Sequence, residues 1–446
     1  MSRLNLSPCI VIRTFFTSLL FVVHSFFSSL ALAQIVEISS SFNPVGSGAR
    51  ALGMGGAFIA VADDATAASW NPGGLIQLER PEVSIVGSFL HRSEDLSLGM
   101  HPEGSGLQKI SEIDINYLSV AYPFNLWGLN MIVSLNHQNL YDLTREWRFP
   151  LHSEDAIQIL DETVDSRQKG SLSALGLAYC IQATRRLSFG VTFNIWKNIL
   201  GENQWENELI QQASGTSLGN PFFFDWHSNE KYSFKGYNFN LGMLLILNNN
   251  LTLGAVFKTP FTADLEYEYA YRYYVTYEGT TTFYPYSLYE DRKLRMPMSY
   301  GIGFAYRFSD EFTASLDIYR TEWGDFELRD PRGNKTSPIT GKSINESGID
   351  ATHQIRLGAE YLIIKPKFVI PARVGFFYDP APSEGDPDDY FGFSVGTGIV
   401  HGPVVFDIAY QYRFGNDVGS SIMQNLAFSQ DVQEHTVYAS LIFHLN

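Results

Sequence analysis

Two stretches of the chain spell the G-x-S-x-G string that carries a serine nucleophile in many hydrolases: Gly392-Phe-Ser394-Val-Gly396 and Gly215-Thr-Ser217-Leu-Gly219. That chemistry needs a strand, a sharp turn and a helix, so that the serine is lifted to a strained apex. Ser394 sits inside an alternating run, and Ser217 lies in a loop-like stretch with no helical pattern after it. Neither has the element that would activate it. The ten histidines are scattered, with no H-E-x-x-H and no Cys/His cluster, so a catalytic metal has no support. Gly46-Ser-Gly48 lacks the third glycine of a dinucleotide fingerprint. The acidic run Glu384 to Asp389 reads as a solvated loop. No catalytic residue, metal or cofactor is assigned, and the chain reads as a non-enzyme.

Residues suited to binding are more prominent. Phe222, Phe223, Phe224 and Trp226 crowd one polar stretch, and ten aromatic residues from Tyr267 to Tyr289 crowd the next. Exposed aromatic clusters usually mark an interaction surface. For Phe222 to Trp226 a hydrophobic ligand is expected. For the tyrosines, a ligand groove and a simple outward extension of strands are equally compatible with the alternation.

The elements that would position these side chains are strands. After Pro81 the apolar pattern has period two, the strand signature. Fourteen candidate strands fall near 82–91, 112–122, 128–140, 170–181, 187–197, 232–247, 251–258, 293–307, 311–321, 353–363, 368–378, 390–400, 403–413 and 435–445. Short connections alternate with long polar segments near 92–111, 141–169, 198–231, 259–292, 322–352, 379–389 and 414–434. Short turns on one side and long loops on the other is the arrangement of an outer-membrane barrel, with the turns periplasmic. Within 298–307, Met298, Tyr300, Ile302, Phe304 and Tyr306 share one side, opposite Ser299, Gly301, Gly303, Ala305 and Arg307. In a barrel the apolar side meets lipid and the other side faces the lumen. By that parity Asp317, Arg356, Glu360, Arg373 and Asp407 point inward. They are expected to form an internal ion network, with Arg356 and Arg373 as candidates to receive a ligand carboxylate.

Compartment and composition agree. Arg3 and Arg13 precede an apolar run that ends in Ala31-Leu32-Ala33, so residues 1–33 read as a signal peptide. Beyond it no stretch approaches the ~20 apolar residues of a spanning helix. Aromatic residues make up 14% of the chain. A formal charge of −16 argues against a nucleic-acid surface. With Cys9 in the signal, Cys180 stands alone and no intrachain disulfide is expected. Gly46 to Gly74 is dominated by small residues, which lets its backbone pack closely inside a shell. There Asp63-Asp64 reads as a helix N-cap with an acidic first turn. Trp70-Asn71-Pro72-Gly73-Gly74 ends that helix in a tight reversal.

That stretch carries a resemblance. Gly48-Ala-Arg-Ala-Leu-Gly-Met-Gly-Gly-Ala-Phe58, then Ala62-Asp-Asp-Ala-Thr-Ala67 and Trp70-Asn-Pro-Gly-Gly74, resemble the N-terminal plug of the FadL/TodX-like outer-membrane transporters of hydrophobic compounds. Met296 to Arg307, Thr321-Glu322-Trp323 with Phe326, and Arg373 to Pro382 resemble later blocks of that family. The resemblance implies an all-β fold, a fourteen-stranded antiparallel barrel over 81–446 with a plug at 34–80. It implies passive uptake of long-chain fatty acids or aromatic hydrocarbons by a monomer set among outer-membrane lipid and lipopolysaccharide. Capture would occur in a groove of the third and fourth outer loops, and a gate would lie at Asp63, Asp64, Asn71, Pro72 and Gly73. A kink in the third strand, here the polar run Asn136-His-Gln-Asn139, would open a sideways exit. A plugged barrel that shuttles or binds secreted proteins is the alternative.

Overall fold

The computed structural model describes Ile38, residues 41–43 and residues 46–445; the expected signal peptide lies outside the described residues. Twenty strands follow the N-terminal segment. They are β1 (Glu82–Leu98), β2 (Gly106–Leu126), β3 (Leu129–Asp142), β4 (Arg145–Glu154), β5 (Gln158–Thr184), β6 (Leu187–Trp196) and β7 (Gln204–Ser217). Next come β8 (Asn220–Ile246), β9 (Leu251–Lys258), β10 (Phe261–Tyr277), β11 (Thr280–Met296), β12 (Ser299–Arg307) and β13 (Phe312–Thr321). The last are β14 (Glu327–Arg329), β15 (Lys335–Thr336), β16 (Thr352–Ile364), β17 (Val369–Tyr378), β18 (Phe391–His401), β19 (Val404–Val418) and β20 (Phe428–His444).

Fourteen of these close an antiparallel barrel. From β1 to β3 the wall continues through β5, β6, β8, β9, β12 and β13, then β16 to β20, and β20 pairs back onto β1. Each expected strand corresponds to one wall strand. Closure removes every free edge, which is what lets strands cross a membrane. Alternation divides the two faces. Val120, Leu135, Leu177, Ile302, Phe376 and Leu441 are exposed on the outside, while Ser119, Ser134, Asp317, Arg356 and Ser440 are buried within.

The expected long loops at 141–169, 198–231 and 259–292 are corrected by the structure. They are mostly strand: β4 pairs with the outer part of β5, β7 with β5 and β8, and β10 with β8 and β11. These strands form one sheet standing outward from the barrel. At ~3.3 Å per residue, the 27 residues of β8 extend about 90 Å, whereas about ten residues cross a bilayer. The charged residues of these segments alternate with side chains buried on one face of the outer sheet, among them Trp205, Trp226, Tyr232 and Tyr267. Only 322–352 and 379–389 are largely irregular.

Candidate functional site

The small-residue segment lies inside the ring. Its polar backbone is satisfied by side chains from strands all around the wall. Asp317 accepts from Phe58 N (2.6 Å) and Ile59 N (2.8 Å). Ser394 Oγ accepts from Gly55 N (2.8 Å) and donates to Gly53 O (3.1 Å), so this buried serine is a backbone clasp and no nucleophile. Across the lumen, Ser188 Oγ donates to Gly73 O (2.7 Å) and Thr192 Oγ1 to Ala68 O (3.0 Å). Asn71 Nδ2 donates to Ile59 O (2.8 Å) and to Met243 O (2.9 Å). A Cβ on Gly190 would sit 2.2 Å from the Pro72 carbonyl, which is why the wall carries glycine there.

The expected helix after Asp63-Asp64 shrinks to a single turn, Ala67–Trp70, capped by neither aspartate. Asp64 Oδ1 instead accepts from Thr66 N (2.8 Å), closing a local turn, and Asp63 pairs with Arg50. An Asp side chain competes with helix by bonding its own backbone. Arg50 also meets Glu360 (3.0 Å), and Arg373 joins Glu360 (2.6 Å) to Asp407 (2.6 Å). The expected inward parity and ion network are present. Arg373, expected as a ligand site, is engaged by two carboxylates and lines none of the described cavities.

The largest of the described cavities, about 580 Å³, lies between this segment and strands β1 to β3, β5, β7, β16, β17, β19 and β20. An alternating relay of charge borders it: Arg92–Glu434 (2.9 Å), Glu434–Arg413 (3.1 Å), Arg413–Asp379 (3.3 Å) and Asp379–Arg356 (3.6 Å). Arg356 also donates to Gly55 O (3.0 Å), tying the chamber to the inner segment. Sequence reasoning found Arg356 and overlooked its partners. Arg413 shares the strand parity of Asp407, so the signal was present. Arg92 and Glu434 each fall one residue outside the expected strand limits and were assigned to loops.

On one side the chamber reaches a break in the wall. Backbone pairing of β2 with β3 runs from Leu126↔Leu129 only as far as Tyr117↔Gln138. Above it, residues 106–116 of β2 pair with β1 alone among the described strands. The facing strand shifts register against β5 between Asn139 and Tyr141. Side chains bridge the seam: Asn139 Nδ2 to Asp114, Asn116 Nδ2 to Asn139 O (3.3 Å), and Gln108 Nε2 to Arg148 O (3.0 Å). The polar run at 136–139 thus sits where the ladder stops.

Above the chamber, alternation sorts the aromatic clusters. Phe222, Phe224 and Trp226 share one face of the outer sheet with Tyr267, Tyr269, Tyr271, Tyr273, Tyr284 and Tyr286. Trp226 stacks on Tyr271 at 4.3 Å, Tyr273 on Tyr284 at 4.6 Å, and Trp205 on Tyr232 at 4.6 Å. Phe223, one residue out of phase, is 41% exposed on the opposite face. The aromatic face descends through Tyr232, Phe234 and Trp196 to Leu140, at the margin of the chamber. Phe42 and Trp323 meet edge to face at 5.4 Å within the same cluster.

Comparison with known proteins follows this geometry. The profile of the outer membrane protein transport protein family (OMPP1/FadL/TodX) matches residues 27–443. A solved FadL homologue of Pseudomonas aeruginosa is 12% identical and aligns over 91% of this chain and 100% of its own, with a TM-score of 0.58. The toluene transporter TodX of Pseudomonas putida is 14% identical over 91% of this chain and 100% of its own, with a TM-score of 0.55. For the Ralstonia pickettii toluene transporter TbuX the values are 14%, 90%, 100% and 0.51. No curated protein matches the sequence. Fold, closure and profile agree: the chain belongs to the OMPP1/FadL/TodX family of outer-membrane transport channels for hydrophobic compounds, and it is not an enzyme.

Proposed function

We propose that the protein takes up hydrophobic small molecules that carry a polar head, along a path from the outer aromatic face through the chamber to the wall seam. One observation supports this above the others. Leu140, which packs against the aromatic cluster of the outer sheet, lines the same cavity as Asp114, Asn116 and Asn139 of the seam. The stacked rings, among them the buried Trp226, Phe222 and Tyr267, offer an apolar track along which a ligand is shielded from water. Residues 46–80 act as a plug that bars the straight route through the barrel, since their bonds reach both sides of the wall. The Asn71-Pro72-Gly73 corner stays in place during passage, because moving it would break bonds to Met243 and Ser188 and leave buried groups unpaired. A gradient alone drives the flux. Long-chain fatty acids, the class implied by the resemblance, suit the ionised chamber wall better than plain aromatic hydrocarbons.

The test is extraction and mass spectrometry of small molecules bound to protein purified from cells in detergent. Chain-bearing amphiphiles should be recovered from the wild type and be depleted in Trp226→Ala/Tyr273→Ala. A wild-type barrel that is consistently empty would sink the reading.

A further inference from the structure

Resting on that path, we infer that the chamber selects amphiphiles whose head group is zwitterionic, with an oxyanion at Arg92 and an ammonium at the seam. Arg92 is 1% exposed, donates through Nε to Glu434 and through Nη1 to Thr144 O, and borders the cavity. Its Nη2 has no acceptor within the protein. A buried guanidinium N–H without an acceptor is costly, and a ligand oxygen would satisfy it. The relay that ends at Arg92 has three arginines against Glu434 and Asp379. Its charge is therefore incompletely balanced.

The opposite sign gathers at the seam. Glu112, Asp114 and Asp142 line the cavity there with Lys169 as the nearby cation. The buried Oδ1 atoms of Asn116 and Asn139, on the two edges of the seam, also lack donors. Arg92 is directly opposite Ile110 on β2, so Glu112 is its diagonal neighbour. Such neighbours stand about 7–8 Å apart, a span that a phosphate and an ammonium in one head group can cover. A free carboxylate would satisfy the arginine and be repelled at the seam. A simple cation would be repelled by Arg92. Only a head with both charges is favoured throughout the chamber.

Equilibrium dialysis of the purified protein in non-ionic detergent, against protein-free micelles, tests this with four probes. These are decylphosphocholine, decanoate, decyltrimethylammonium and the chain-free glycerophosphocholine. Decylphosphocholine should bind at least about tenfold more tightly than either singly charged probe, as a few unscreened charges at this range permit. Glu112→Gln, alone and with Asp142→Asn, should raise decanoate affinity and shrink that ratio toward one. Decanoate binding as tight as decylphosphocholine in the wild type would overturn the inference and leave the transport path standing. Equal binding of glycerophosphocholine would assign the chamber to free zwitterions and overturn the amphiphile. No binding of any chain-bearing probe would remove the transport reading itself.

Discussion

At the scale of the residue, two arginines separate structural from binding roles. Arg373 joins Glu360 and Asp407 deep in the wall, so removing it strands Asp407 and leaves Glu360 with Arg50 alone. Arg373→Ala should lose about 3–5 kcal/mol, read as a lowered urea midpoint of the barrel refolded in lipid vesicles. The folded fraction should keep its ligand. The aromatic pair divides the same way. Trp226→Ala removes a ring from the stacked face, whereas Phe223→Ala trims the opposite face. Uptake of a fluorescent fatty acid should fall several-fold in the first and stay near wild type in the second. Equal losses would mean that capture uses both faces. Inward parity was legible for Asp317, Arg356, Glu360, Arg373 and Asp407 because period two holds across a wall strand. Phe223 adjoins Phe222 and Phe224 in sequence, but that same period turns it to the opposite face.

At the scale of the element, the inner segment is held by close backbone approach and by side-chain clasps. Cys180 is buried with its thiol against Gly73 O. A maleimide should therefore leave it unmodified, with or without ligand, if the Asn71–Gly73 corner stays seated. Ligand-dependent labelling would restore a gate at that corner. A side chain at position 190 meets the Pro72 backbone, so Gly190→Val should push the corner off the wall. Labelling of Cys180 should then rise, and small hydrophilic antibiotics should leak through the barrel. The elements of the wall were legible and their lengths were not. Charged residues in β7, β8, β10 and β11 look like loop in one dimension, because the partners that bury their alternate aromatic side chains lie on neighbouring strands.

At the scale of the whole molecule, the proposed path ends at the seam between β2 and the β3–β4 side. Cysteines at Ser111 and Glu146, joined by a short bis-maleimide linker, should abolish fatty-acid uptake and leave the heat-modifiable mobility of the folded barrel unchanged. Uptake that survives the linker would redirect the exit to the periplasmic end.

By itself the sequence determined the closed barrel, its strand number, the inward face and the small-residue segment, since each rests on local periodicity or on motifs that adjoin in the chain. The polar run Asn136 to Asn139 marked a place where the wall could change, but not which bonds would be missing. Only the tertiary structure decided that Arg92, Glu434, Arg413, Asp379 and Arg356 form one relay, since they come together from both ends of the chain through closure of β20 on β1. It also decided that the relay and the seam share a chamber. Arg92 and Glu434 stand 342 residues apart, a separation that leaves no periodic trace, and their pairing exists only once the ring has closed.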